Sequence, residues 1–185
     1  MAHATELEFV APGLFLWRAY DASIKTELFS TGLTIPFGTY LIDPIPLARS
    51  EAKSLTAVAG IIVTNENHER SAADFADRFH VPIYSTASRL FPAGLTAIPI
   101  EGAAPGEIAI HCAAGDVMII GDALINFDPY GFTFLPAKYC TNHKLMRGSL
   151  AKLLEYPFAR MLFAHGTPIL PRAHERLEAL LRGDR

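Results

Sequence analysis

Two runs of short strands, one on each side of a clear helix, limit the folds open to this chain. The first run covers residues 14–18, 27–31 and 38–43, each rich in aromatic or branched side chains and bounded by Pro, Gly or Asp. Residues 48–55 read as helical. Residues 61–63 are a wholly apolar strand of the kind buried on both faces. The central helix begins after Ser71, placed to cap it, and carries Ala72, Phe75, Ala76 and Phe79 as an apolar stripe at helical spacing. Residues 82–85 form a strand after a Pro-marked turn. The second run holds strands at 96–100, 107–112, 117–120 and 123–125, with Gly115-Asp116 as a hairpin turn. A helix at 144–154, a strand at 160–163 and a helix at 171–181 close the order, with Pro171 suited to a first helical position. Two face-to-face sheets with helices outside would bury these apolar faces, but periodicity does not separate that sandwich from other mixed α/β arrangements.

Composition narrows the class further. At 185 residues the chain is sized for one domain, 1–185, with no repeat or linker dividing it. Half its residues are hydrophobic and 19% are charged, as in a folded globular protein. The net charge of −3, without a basic block, argues against a nucleic-acid partner. No segment approaches the ~18 apolar residues of a membrane span. The opening Met1-Ala-His-Ala-Thr-Glu-Leu-Glu lacks the basic and apolar regions of a signal peptide. Cys112 and Cys140 form no CxxC pair, so reduced thiols in a cytoplasmic protein are expected.

Several segments, in order, resemble the metallo-β-lactamase superfamily. Ile61-Ile-Val-Thr-Asn-Glu-Asn-His-Glu-Arg70 stands where that family has a strand followed by T-H-x-H-x-D-H. Gly102-Ala-Ala-Pro-Gly-Glu-Ile-Ala-Ile110 is similar to its G-H-T-P-G-S-I-A strand entry, and Gly115-Asp-Val-Met-Ile-Ile-Gly-Asp122 to the strand ending in Gly-Asp. Met161-Leu-Phe-Ala-His-Gly166 resembles the late strand ending in G-H-G, and Gly38-Thr-Tyr-Leu-Ile-Asp-Pro44 the early strand ending in Asp. The resemblance implies an α/β fold, the αββα four-layer sandwich, with a metal site at the strand ends.

Carried over by position, the resemblance would build the first metal site from Asn65, Asn67, Ala103 and Asp122. It would build the second from Glu69, Arg70, Asp122 and His165. Asn is a weak zinc ligand, Ala offers no donor atom, and Arg carries only donors. The expectation is therefore a degenerate site without the usual two-metal hydrolase chemistry, and no cofactor is favoured. Arg70 is expected to replace the metal charge by bridging Glu69 to Asp122. Asn65 and Asn67 would hydrogen-bond the neighbouring strand ends, and Asp43 would accept backbone N–H groups.

The alternative is a mononuclear hydrolase, with one zinc or iron held by Glu69, Asp122 and His165, acting on an ester, thioester or similar bond. His68 falls on a variable position of the motif, beside the pocket, though with Glu69, Asp122 and His165 it could complete a displaced single site. Asp122, His165 and His68 are the candidate catalytic groups, available for acid–base work. His3, His80, His111, His143 and His174 lack ligand spacing and read as structural or solvated. The aromatic segment 126–136, with Phe127, Tyr130, Phe132 and Phe134, either covers a sheet edge, lines a pocket for a small molecule, or forms a subunit interface such as that of a homodimer. A non-enzymatic binding module or subunit using that segment is the third reading. No phosphate-cradling loop or nucleophile elbow points to another enzyme class.

Overall fold

Alternation along the strands decides which side chains meet, and in the computed structural model, which describes residues 3–183, it assembles two sheets. The first sheet holds six strands in sequence order: β1 (Glu8–Ala11), β2 (Leu14–Asp21), β3 (Thr26–Ile35), β4 (Gly38–Ile42), β5 (Val58–Ile62) and β6 (Ile83–Tyr84). β1 to β4 pair antiparallel, whereas β4, β5 and β6 run parallel, with helices in the connections. The second sheet contains β7 (Thr96–Pro99), β8 (Ile108–Cys112), β9 (Val117–Ile120) and β12 (Arg160–Phe163), ordered β12-β9-β8-β7. Between them in sequence, β10 (Leu124–Phe127) and β11 (Gly131–Phe134) form a separate antiparallel hairpin.

The inner faces pack together. Tyr40 and Ile42 of β4, Ile62 of β5, Ile108, Ile110 and Cys112 of β8, and Val117 and Ile119 of β9 share one buried cluster. Their sequence neighbours point the other way, as a period of two requires. Leu41 and Ile61 meet Phe75 of helix α2 (Ala72–Phe79) in a second cluster, to which Ala52 of helix α1 (Arg49–Ala52) also belongs. Ala109, Met118, Ile120 and Met161 meet Met146 and Leu150 of α3 (His143–Ala151) and Leu177 of α4 (Ala173–Arg182) in a third. Three apolar layers therefore lie between four structural layers: the αββα sandwich.

Some local expectations need correction. Ser71 occupies the N-cap position of α2 but makes no capping hydrogen bond with its side chain. Pro171 precedes the last helix, whose N-cap is Arg172 in left-handed conformation. The aromatic segment is largely the β10–β11 hairpin. The reading of the chain's start falls partly outside the described residues. Cys112 is buried, Cys140 half-buried, and neither forms a disulfide. Among the described residues no helix is long and apolar enough to cross a membrane.

Main-chain hydrogen bonds join the two sheets at one edge. Phe29 N–H donates to Ala164 O at 3.0 Å, and Ile108 N–H to Thr64 O at 2.8 Å. The loops after β4, β5, β9 and β12 all end there, so side chains far apart in sequence converge.

Candidate metal centre

The loop after β5 begins with a short 3₁₀ turn, Glu66–His68, capped by Asn65, whose Oδ1 accepts from Asn67 N–H at 2.9 Å. That turn carries His68 inward. Its Nδ1 lies 2.9 Å from Asp43 Oδ2, and its Nε2 lies 3.2 Å from Asp122 Oδ1. Asp122 follows β9, and His165 follows the parallel strand β12, so the pairing of these strands sets the two residues side by side. His165 Nε2 is also 3.2 Å from Asp122 Oδ1. The side chains of His68, Asp122 and His165 are 4%, 14% and 15% exposed, so Asp122 and His165 carry what solvent contact the cluster has.

Asp43 anchors this arrangement. Its carboxylate accepts from Thr64 N–H at 2.8 Å and Thr64 Oγ1 at 2.6 Å as well as from His68. A carboxylate only accepts, so the shared proton sits on His68 Nδ1 and a neutral imidazole would present an Nε2 lone pair to Asp122. On the other side, Asn65 Nδ2 donates to Glu107 Oε2 at 2.7 Å and to Asp122 Oδ2 at 3.2 Å. Glu107 Oε1 accepts from Ala123 N–H at 3.0 Å. Glu107 was not singled out from the sequence, where its only signal is an acid opening the apolar strand β8.

Arg70 departs from expectation. The bridge between Glu69 and Asp122 is not formed: Glu69 is exposed, and Arg70 Nη1 donates instead to Phe29 O at 2.7 Å and Asp43 O at 3.0 Å. The cause is local: Arg70 has a positive φ of 41°, and its side chain runs to Phe29 within β3 and to Asp43 just after β4. Its Nη2 is buried without a partner among the described residues, a donor left for a water molecule or an anion. Asn67 is exposed, and Ala103 is buried with no donor atom to offer.

Comparison with known proteins bears on the fold. No protein-family model and no curated protein sequence matches the chain. Solved structures do. The DIM-1 metallo-β-lactamase superposes with a TM-score of 0.74 at 11% identity, over 100% of this chain and 99% of that one. A metallo-β-lactamase from Hirschia baltica gives 0.69 at 13% identity, over 100% and 99%. One from Pontibacter korlensis gives 0.69 at 13%, over 96% and 98%. The chain has the metallo-β-lactamase fold. At these identities the likeness concerns the fold, and the chemistry must be argued from the side chains.

At the convergence of the loops after β5, β9 and β12, His68, Asp122 and His165 offer three ligand atoms lying within 4.8 Å of one another. Two imidazoles and a carboxylate form a workable zinc set. The nitrogen–oxygen separations of 3.2 Å are close to the roughly 3.3 Å edge of a tetrahedron with metal–ligand bonds of about 2.0–2.1 Å. His68 bonded through Nδ1 to a buried carboxylate also has the usual support of a ligating histidine. The residues fit one ion.

Without an ion, charge is balanced by protons. Burial opposes a charge on His68, but Asp43 outweighs it and raises the pKa to about 9. Burial, aided by the charge of Asp122, pushes Glu107 up to about 8. Burial would also raise Asp122, but His165 and His68 hold its carboxylate well below the usual range. Asp43 is likewise lowered, burial being outweighed chiefly by His68.

These shifts give a pH dependence for metal-stripped protein. Folded His68 and Glu107 keep protons that the unfolded chain releases near pH 6.5 and 4.5. Their stabilisation is complete below those values and is lost as pH rises through about 9 and about 8 respectively. Each group changes stability by up to about 1.4 kcal/mol per pH unit within its window. The two lowered carboxylates act oppositely, with stability present above the ordinary carboxylate range and lost toward acid. The melting temperature in EDTA is expected to fall steadily from pH 6.5 to 9, and Glu107→Gln to flatten the slope below pH 8. A rise across that interval contradicts this assignment.

Proposed function

We propose that this protein lacks the two-metal hydrolase centre associated with its fold and keeps a one-ion centre of His68, Asp122 and His165, used on an ester, thioester or similar bond of a small molecule. The convergence of both Nε2 atoms on Asp122, with His68 braced by Asp43, carries this reading. The positions that would complete a first metal site argue against two ions: Asn65 is committed to Glu107 and Asp122, and Ala103 has no ligand atom.

A bound zinc or iron ion would activate water near neutral pH. The chain's own residues prepare the site. Asp43 fixes the ring and tautomer of His68. Asn65 restrains Asp122 through Oδ2, leaving Oδ1 toward the two imidazoles. Gly166, next to His165 in the chain, lines a groove of about 600 Å³ together with Phe29, Asn126, Phe127 and Thr167, large enough for a small substrate. A cytoplasmic setting, where both thiols stay reduced, belongs to the same proposal.

The charge pattern supports a second reading. With Glu107 neutral, Asp43 and Asp122 face the cations His68 and Arg70, so an ion-free polar pocket is also electrically balanced. Elemental mass spectrometry of tag-free protein separates the two. One zinc or iron per chain, lost in Asp122→Ala and His165→Ala, is the expected result. Near-zero metal, unchanged after incubation with excess zinc and with iron(II), rejects the one-ion centre and favours the ion-free pocket.

A further inference from the structure

The aromatic hairpin also lines a second groove, against helices α3 and α4. Phe132 and Phe134 are two apart on β11, which puts them on one side of the strand, roughly 7 Å from each other. Each carries an arginine from a different helix. Arg147 of α3 has its guanidinium carbon 4.7 Å from the Phe134 ring centre, and Arg176 of α4 lies 5.5 Å from that of Phe132. Stacking occupies the flat faces of the guanidinium groups and leaves their N–H edges available. Among the described residues neither arginine belongs to an ion pair, and Arg147 makes only a long hydrogen bond, 3.4 Å, to Leu181 O.

Both arginines open onto a groove of about 620 Å³ between the hairpin and the two helices. Tyr130 and Leu180 supply further wall, and no carboxylate lines the groove among the described residues. Two cations that line one groove, each presenting a donor fork, suit an oxyanion bound there. The volume lies in the range of ordinary small-molecule sites.

We propose that this groove binds a small molecule with a terminal oxyanion, phosphate or carboxylate, held between Arg147 and Arg176, and with a flat apolar body resting on Tyr130 and Leu180. The site is separate from the His–Asp–His cluster and does not depend on the function proposed for it. Arginines that only shield aromatic surface would give no saturable binding.

Isothermal titration of the full chain in phosphate-free buffer tests the proposal, with 1-naphthylphosphonate and 2-naphthoate as probes and neutral 2-naphthol as control. Saturable binding of at least one anionic probe is expected, with 2-naphthol inert; the stronger probe identifies the anion as phosphate-like or carboxylate-like. Arg147→Gln and Arg176→Gln should each weaken that binding at least tenfold and the double variant abolish it, with unchanged circular dichroism. Asp122→Asn should leave it intact. Failure of both anionic probes to bind, equal binding by 2-naphthol, binding by the double variant within twofold of the original, or loss of binding in an Asp122→Asn protein of unchanged circular dichroism would each overturn the assignment.

Discussion

Asp43→Ala is expected to lower the unfolding free energy by about 3–5 kcal/mol, the usual cost of removing one partner from a buried charge pair. Asp43 is buried, and three donors end on its carboxylate: Thr64 N–H, Thr64 Oγ1 and His68 Nδ1. Truncation strands all three and removes a negative charge that supports both His68 and Arg70. Asp43→Asn preserves shape but places an amide without the charge among donors, so it too should be destabilising. Urea denaturation at pH 7 measures the effect. A loss below about 1 kcal/mol would show that water can replace the carboxylate, and Asp43 would then not be the anchor of the site.

Gly166→Ala is expected to be at least as damaging, for a reason of backbone and not of charge. Gly166 has φ of 118°, a conformation that L side chains rarely adopt, and an added Cβ would collide with the main chain of Asn126. That neighbour is held on both sides. Asn126 N–H donates to His165 O at 3.2 Å, and Asn126 O accepts from Thr167 N–H at 2.8 Å. Relief would require breaking the link that sets the position of His165, so little folded protein should accumulate, or stability should drop by more than about 3 kcal/mol. Gly148→Ala is the control: it lies within α3, an added Cβ meets nothing within 4 Å, and helix propensity predicts a gain of about 0.5–1 kcal/mol. Equal thermal midpoints for the two variants would refute the strain at Gly166.

The sandwich was legible through the ordered resemblance of several strand-end segments to one family, since periodicity alone left other mixed α/β arrangements open. Gly38 to Asp43, Ile61 to Thr64, Val117 to Asp122 and Met161 to Gly166 each combine an apolar strand with a turn residue, and the structure places them at β4, β5, β9 and β12. The site was less legible, since loop side chains do not obey a period. Position within the motif set His68 beside the pocket and Glu69 within it. The Asn65-capped 3₁₀ turn does the reverse, burying His68 and exposing Glu69. The direction of Arg70 depends on one positive φ, which neither composition nor spacing announces for an arginine. Glu107 was hidden for another reason. Its partners Asn65 and Ala123 are distant in sequence, so its isolation in an apolar strand could not be weighed until the strands were paired.

The main-chain links between the sheets bear on how the molecule can breathe. Phe29 to Ala164, Ile108 to Thr64 and Glu66 to Pro105 lie at the edge that holds the reactive side chains. Splaying the sandwich there would break several backbone bonds together, whereas at the opposite edge no main-chain hydrogen bond joins the sheets among the described residues. The protein therefore resembles a book bound along its functional edge, with the imidazoles and the carboxylate at the spine.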